Sequence, residues 1–152
     1  MKIGILSDTH GLLRPEALTA LAGAEHILHA GDVGDPSILH ALRSIAPVTA
    51  IRGNIDEGGL CGFLPPTEII EIAGHALYML HDRNQLDLHP EAAGIAAVIS
   101  GHSHKPLIEQ QRGVLYVNPG SAGPRRFQLP VTLAWLMIGD AGLTAEIVPL
   151  LL

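Results

Sequence analysis

Five short apolar runs in this chain are each followed by side chains able to bind a metal ion, and this repetition constrains the fold more than any other feature of the sequence. The runs cover residues 2–7, 26–30, 48–52, 77–80 and 96–100. Each has the length of a β-strand, four to six residues. At or just past their ends stand Asp8 and His10, Asp32, Asn54, His81, and the pair His102 and His104. In open α/β sheets the loops at the carboxyl ends of strands converge on one crevice. The pattern therefore predicts that seven oxygen and nitrogen donors meet in one place.

Stretches with helical spacing separate the first three runs: residues 15–22, with Leu18 and Leu21, and residues 36–45, with Ile38, Leu39 and Leu42. Both open on Pro, which a helix accepts in its first turn. A β-α-β-α-β opening predicts a parallel sheet with right-handed crossovers. Past Pro65-Pro66 the pattern changes to hairpins. Residues 68–72 and 75–80 flank Ala73-Gly74, 107–111 and 114–118 flank Arg112-Gly113, and 131–138 and 143–148 flank Asp140. The expectation is an α/β fold in one domain over residues 1–152, with two sheets face to face, helices on the outer faces, and no linker or repeat. Trp135, in a late strand, is expected in the core.

Charge narrows the partners. A net charge of -6 argues against gripping long nucleic acid, because that requires clustered Lys and Arg to displace phosphate counterions. The single cysteine, Cys61, rules out a disulfide framework and a Cys-based zinc site. The apolar run before Asp8 is too short for a secretory signal, and the apolar tail from residue 131 is broken at 139–142 and by Glu146, which excludes a membrane-spanning helix. The expectation is a cytoplasmic protein with no membrane partner.

Asp8-Thr9-His10 and His102-Ser103-His104 share one spacing, and residues two apart in an extended segment point to the same side. Each pair can aim both side chains at one centre. A set mixing imidazole, carboxylate and amide suits Mn, Fe, Zn, Ni or Co better than Ca or Mg, and Asp32, arriving alone from its strand, suits a bridge between two ions. Gly31, Gly53 and Gly101 each precede a candidate ligand, where a missing Cβ permits a sharp turn or a close approach.

These blocks, Asp8-Thr9-His10, Gly31-Asp32-Val33-Gly34-Asp35, Gly53-Asn54-Ile55-Asp56, His81 and Gly101-His102-Ser103-His104, resemble in order the pattern of the calcineurin-like metallophosphoesterase superfamily. The nearest likeness is to its small YfcE-type phosphodiesterase group, whose later turn Asn118-Pro119-Gly120-Ser121 also resembles. The resemblance implies a four-layer αββα sandwich of two mixed sheets flanked by helices. It also implies two divalent ions, manganese foremost, one held by Asp8, His10, Asp32 and His104 and the other by Asp32, Asn54, His81 and His102. Two such ions outweigh the charge of Asp8 and Asp32, so an acidic protein gains a positive site for phosphate. The implied activity is hydrolysis of a small phosphodiester or nucleotide by a metal-bridging hydroxide, the seven ligands being the catalytic set.

Two positions depart from the family pattern. Arg83 stands where many relatives carry a second His after His81, and it is placed with Asn54 as a substrate contact. Ile55 stands where the phosphomonoesterases carry a proton-donating His, which favours a diester. A phosphomonoesterase, or a non-catalytic protein-binding scaffold of the same fold using Leu60, Phe63 and Leu64, stays as the alternative, and a homo-oligomer is left open. Asp35 and Asp56 either orient a ligand histidine or serve as loop and helix-cap acids. His26, His29, His40, His75 and His89 are read as strand or surface residues, and Lys105, Arg125 and Arg126 as solvated loop charges ahead of a role at the crevice mouth.

Overall fold

The computed structural model describes residues 1–151. The first half folds as β1 (Lys2–Leu6), α1 (Pro15–Ala20), β2 (His26–His29), α2 (Pro36–Arg43) and β3 (Val48–Ala50). Both helices carry Pro in the first turn, and Asp35 caps α2 by accepting the Ser37 N–H at 2.8 Å. The three strands are parallel, as the alternating pattern predicts. In the second half come β4 (Thr67–Ile72), β5 (His75–Leu80), β6 (Ile95–Ile99), β7 (Leu107–Gln111), β8 (Val114–Asn118), β9 (Thr132–Gly139) and β10 (Gly142–Pro149). All three expected hairpins form, with Ile72 opposite His75, Gln111 opposite Val114, and Gly139 opposite Gly142.

The strands make two mixed five-stranded sheets, ordered β10-β9-β1-β2-β3 and β4-β5-β6-β8-β7. Between them lies a core built from Ile3, Ile5, Leu28, Leu77, Met79, Ile99, Val117 and Leu136. Strands covered on both faces read as continuous apolar runs, and β8 is buried throughout, whereas β4 alternates. A second core lies between the first sheet and the helices, where Ile38, Leu39 and Leu42 of α2 meet Leu6, Leu21 and Trp135.

The fourth layer departs from the expected flanking helices. The outer face of the second sheet presents Tyr78, Leu80, Ile95, Val98, Val114 and Tyr116, and an irregular segment covers it with Leu86 and Leu88. That segment holds one 3-10 turn, Arg83–Gln85. Its two leucines are spaced two apart and Pro90 follows, so it lacks the i, i+3, i+4 apolar stripe that an α-helix needs to pack. Among the described residues no helix is long and apolar enough to cross a membrane.

Candidate metal centre

The five expected strand ends do meet. Asp8 and His10 follow β1, Asp32 follows β2, Asn54 opens the 3-10 turn Asn54–Asp56 after β3, His81 follows β5, and His102 and His104 follow β6. Asp8 Oδ1 lies 3.4 Å from His104 Nε2, 3.6 Å from His81 Nε2 and 3.7 Å from His10 Nε2. Asp32 Oδ2 lies 3.2 Å from His81 Nε2 and 3.4 Å from His10 Nε2. On the exposed rim, His102 Nδ1 is 3.2 Å from Asn54 Oδ1.

Each carboxylate anchors one oxygen and presents the other. Asp8 Oδ2 accepts from the Ser7 hydroxyl at 2.7 Å and the His102 N–H at 3.1 Å, while Asp32 Oδ1 accepts from the Ile55 N–H at 3.0 Å. His81 is oriented by Ala30, whose carbonyl is 2.7 Å from Nδ1. A carbonyl only accepts, so Nδ1 carries the proton and Nε2 keeps its lone pair toward Asp8 and Asp32. Burial pushes the Asp8 carboxyl up, but His10, His81, Ser7 and His104 outweigh it and hold its pKa below the ordinary value. Burial likewise opposes charge on His81, but Asp32, Asp8 and the Ala30 carbonyl raise its pKa overall.

Asp8 Oδ1, His10 Nε2, His81 Nε2 and His104 Nδ1 are buried without a hydrogen-bond partner. Such atoms are costly in a protein interior unless something satisfies them. A cation does so for Asp8 Oδ1, His10 Nε2 and His81 Nε2, and the oxygen and imidazole donor set suits a transition metal; His104 faces Asp8 with Nε2, so its buried Nδ1 points elsewhere. Two groups of three side chains have ligand atoms within metal-binding reach of one another: Asp8, His10 and His104, and Asp8, Asp32 and His81. Asp8 is common to both groups, and Asp32 Oδ2 faces both His10 and His81.

The backbone here is strained. Asp8, His10, Asp32, His102 and His104 have φ between 47° and 71°, the left-handed region that costs a non-glycine residue about 1–3 kcal/mol. Loop-to-loop hydrogen bonds hold them there: Asp8 N–H to Gly31 O at 3.0 Å, His10 N–H to Asp32 O at 2.9 Å, and Gly101 N–H to His81 O at 2.9 Å. The three leading glycines are sites of close approach. A Cβ on Gly53 would collide with Asp32 Oδ1, and one on Gly101 with Ser7 Oγ; at Gly31 it would lie 2.6 Å from His81 Nδ1.

Several positioning residues escaped sequence reasoning. His29, read there only as a strand or surface residue, is fully buried in β2 and ties two ligand loops together. Its Nε2–H donates to Thr9 Oγ1 at 3.0 Å, the Thr9 hydroxyl donates to Val33 O at 2.8 Å, and His29 Nδ1 accepts the Gly31 N–H at 3.1 Å. Both ring nitrogens are satisfied in the neutral form, and burial pushes the pKa down to about 4. Asp56 orients no histidine; its buried carboxylate accepts the N–H groups of Val33, Gly34 and Gly53 at 2.9–3.0 Å and clamps two ligand loops. Asn118 donates to Gly101 O at 3.0 Å and to Ser103 Oγ at 3.1 Å, and Ser121 donates to Asp8 O at 3.1 Å. The spacing of a Gly-Asp turn two residues after His29 was the available signal, but His-x-Gly-Asp alone does not say which way the imidazole points.

Other candidates stand around the donor cluster. Arg83 is paired with Glu109 at 2.7 Å, its guanidinium lies 4.0 Å from the Tyr116 ring centroid, and it lines a cavity of about 400 Å³ together with His102. Leu60 and Phe63 are exposed, but Leu64 turns inward to the helix-side core. Ile55 is exposed beside Asn54.

Residues 1–141 match the family described as the calcineurin-like phosphoesterase superfamily domain. A probable metallophosphoesterase of Methanocaldococcus jannaschii is 36% identical, the match covering 99% of this chain and 82% of the relative. The solved structure of an archaeal phosphodiesterase superposes with a TM-score of 0.77 at 22% identity, over 97% of this chain and 100% of the other. Vps29 of Entamoeba histolytica in complex with zinc gives a TM-score of 0.77 at 21% identity, over 99% of this chain and 100% of that one. These two structural likenesses establish a shared fold.

Proposed function

The chain belongs to the calcineurin-like phosphoesterase superfamily, and from that premise we propose that it hydrolyses a small phosphodiester using two divalent transition-metal ions, manganese first and nickel, zinc, iron or cobalt as alternatives. The observation that carries the reading is the convergence of three buried, unpartnered ligand atoms, Asp8 Oδ1, His10 Nε2 and His81 Nε2, with His104 Nε2 3.4 Å from Asp8 Oδ1. Asp8, His10, Asp32 and His104 hold one ion in this reading, and Asp32, Asn54, His81 and His102 the other. Bound there, the ions supply positive charge to the phosphoryl oxygens and lower the pKa of a water.

The chain's own contribution is pre-organisation. Ser7, the His102 amide and the Ile55 amide hold the two carboxylates, and Ala30 sets the His81 tautomer, so little reorganisation accompanies the reaction. Asn54 and His102, on the exposed rim, face an entering phosphoester. Ile55 supplies no proton to a leaving group, which favours a diester over a monoester. One domain spanning residues 1–152 carries this activity, in a cytoplasmic setting.

The exposure of Leu60 and Phe63, at 69% and 68%, favours a second reading, a protein-docking scaffold of the same fold. Metal analysis combined with hydrolysis of a panel of diesters and monoesters, with Mn, Ni, Zn and Mg in turn, separates the two. The expected result is about two ions per chain and a preference for diesters that a chelator abolishes. Failure to take up metal at saturating concentration, or activity that survives the chelator, removes the enzyme reading.

A further inference from the structure

Two cavities open against His102, and they differ in charge. One, of about 410 Å³, lies on the side of Asn54 and His81 and sets Glu57, Asp82 and Asp87 against a lone cation, Arg52. The other, of about 400 Å³, lies on the side of Ser103 and sets Arg83 and Lys105 against Asp82. Asp82 and His102 stand in the walls of both, so these two side chains form the partition. Each cavity has the size of a small-molecule site, roughly 300–1,000 Å³. A diester whose phosphorus sits at the donor cluster carries two arms, and the molecule offers a separate cavity to each.

The cations of the second cavity are not used up by the protein. Arg83 is fixed from two sides: its guanidinium lies 4.0 Å from the Tyr116 ring centroid, and its Nη2 donates to Glu109 Oε1 at 2.7 Å. Glu109, on β7, stands outside the cavity wall. It takes one N–H of the guanidinium fork, and no other hydrogen bond from that fork to the protein occurs among the described residues. Lys105 takes part in neither of the two lysine or arginine salt bridges, Arg83 to Glu109 and Arg112 to Glu91, found among the described residues. The acid that shares the cavity is committed elsewhere. Asp82 Oδ1 accepts the Asn84 N–H at 3.0 Å, and Oδ2 turns to His102, 3.9 Å from Nε2. An arginine already held against a ring and a carboxylate loses little freedom on binding, and its fork matches the paired oxygens of a carboxylate or phosphate. Pro106, Leu107 and Val117 line the same cavity with carbon, which suits a short aliphatic chain.

We infer that the Arg83 cavity seats one arm of the substrate and that this arm ends in a second oxyanion, a carboxylate or a phosphate, gripped by Arg83 together with Lys105. The substrate is then an asymmetric diester. Its other arm carries no negative charge, because the wall of Glu57, Asp82 and Asp87 repels one. This rests on the phosphodiesterase reading above and names the class of diester that the site takes.

The test uses three diesters on the metal-loaded full chain, with hydrolysis read by phosphorus NMR. Each pairs a methyl arm with a propyl-length arm that ends in a carboxylate, a phosphate or an uncharged carboxamide. Wild-type kcat/KM is expected to be about ten-fold higher for an anionic arm than for the carboxamide, the scale of one charge-assisted hydrogen bond. The larger of the two anionic ratios identifies the oxyanion. Arg83→Gln is expected to bring the ratio close to one, and Lys105→Gln to lower it less. Glu109→Gln keeps an acceptor for Arg83 and removes a competing anion, so its ratio is expected at or above the wild-type value. A merely structural latch between the Arg83 turn and β7 would make Arg83→Gln and Glu109→Gln fail alike, and that result overturns the inference. So does a wild-type ratio near one, or an unchanged ratio in Arg83→Gln. Binding is read separately by NMR at the Leu107 methyl groups, which are expected to shift with the anionic diesters in the wild type and not in Arg83→Gln; absent shifts in the wild type overturn the inference as well. Hydrolysis of none of the three diesters overturns the phosphodiesterase reading instead, and the Leu107 shifts then decide the cavity by themselves.

Discussion

Ala73 and Arg112 occupy the same left-handed backbone region as Asp8, His10, Asp32, His102 and His104, yet the two sets arise from different causes. Ala73 and Arg112 are each followed by a glycine with positive φ inside a two-residue hairpin, the geometry that matches the twist of the flanking strands. Their conformation is local, with nothing within 4 Å of a Cβ built on Gly74 or Gly113. The five candidate ligand residues stand in loops whose shape is imposed by backbone bonds from other loops, by carboxylate clamps and by glycines pressed against side chains. Strain of the first kind is a property of a turn. In the second it is stored by the assembled site, and ions that bind the folded state repay it by mass action.

Removing the side chain that faces both His10 and His81 breaks the comparison most severely. Asp32→Ala is expected to abolish metal uptake and hydrolysis together, while the strand content is kept; metal analysis and circular dichroism on one preparation check both halves. Retained activity in this variant would sink the assigned ligand set.

Acid acts next, through the buried His29. His29 has a folded pKa of about 4 against 6.5 when unfolded, so the unfolded chain takes up the proton first and stability falls as pH drops through that window. The gap is worth roughly 3 kcal/mol once the pH is below both values. His81, whose folded pKa is raised, contributes in the opposite sense: its stabilisation is present at low pH and lost as pH rises through its folded value. Denaturant unfolding of the metal-free protein between pH 7 and 4, wild type minus His29→Gln, isolates the first effect; an identical slope in the two proteins would exclude His29 as its source.

The smallest effects sharpen the contrast between turn and site. Gly101→Ala forces a Cβ onto Ser7 Oγ and close to Asp8, and overpacking of this kind costs about 1–3 kcal/mol. Metal affinity should fall with it, because the displaced groups anchor Asp8. Gly74→Ala places a Cβ in open space at φ 80°, with a cost of about 1–2 kcal/mol from backbone conformation alone. Thermal unfolding and metal titration of both variants are expected to show two destabilised proteins of which only Gly101→Ala binds metal more weakly.

Much of this molecule was legible in its residues because the signals are short-range. Apolar runs of strand length, Pro at both helix starts and Gly-bearing two-residue turns gave the element order, the parallel opening and the hairpins; Trp135 lies in the core as expected. The donors at five strand ends were visible for the same reason, since the end of a strand is a local event. Local rules did not reach the outer cover of the second sheet, where Leu86 and Leu88 pack without a helix. Nor did they reach Arg83, whose pairing with Glu109 and stacking on Tyr116 depend on strands far along the chain.

The amino-acid order by itself determined which groups are available: two carboxylates, an amide and four imidazoles, each placed where a strand runs out. Tertiary structure alone decided which atom of each group faces inward, through Ala30 on His81, Ile55 on Asp32, and Ser7 with His102 on Asp8. The same holds for His29 and Asp56, ordinary strand and loop residues in sequence that become clamps only when loops from separate strands close around them. The physical reason is range. Periodicity and turn chemistry act over a few residues, whereas the direction of a lone pair is set by hydrogen bonds between segments as far apart as Asp8 and His102.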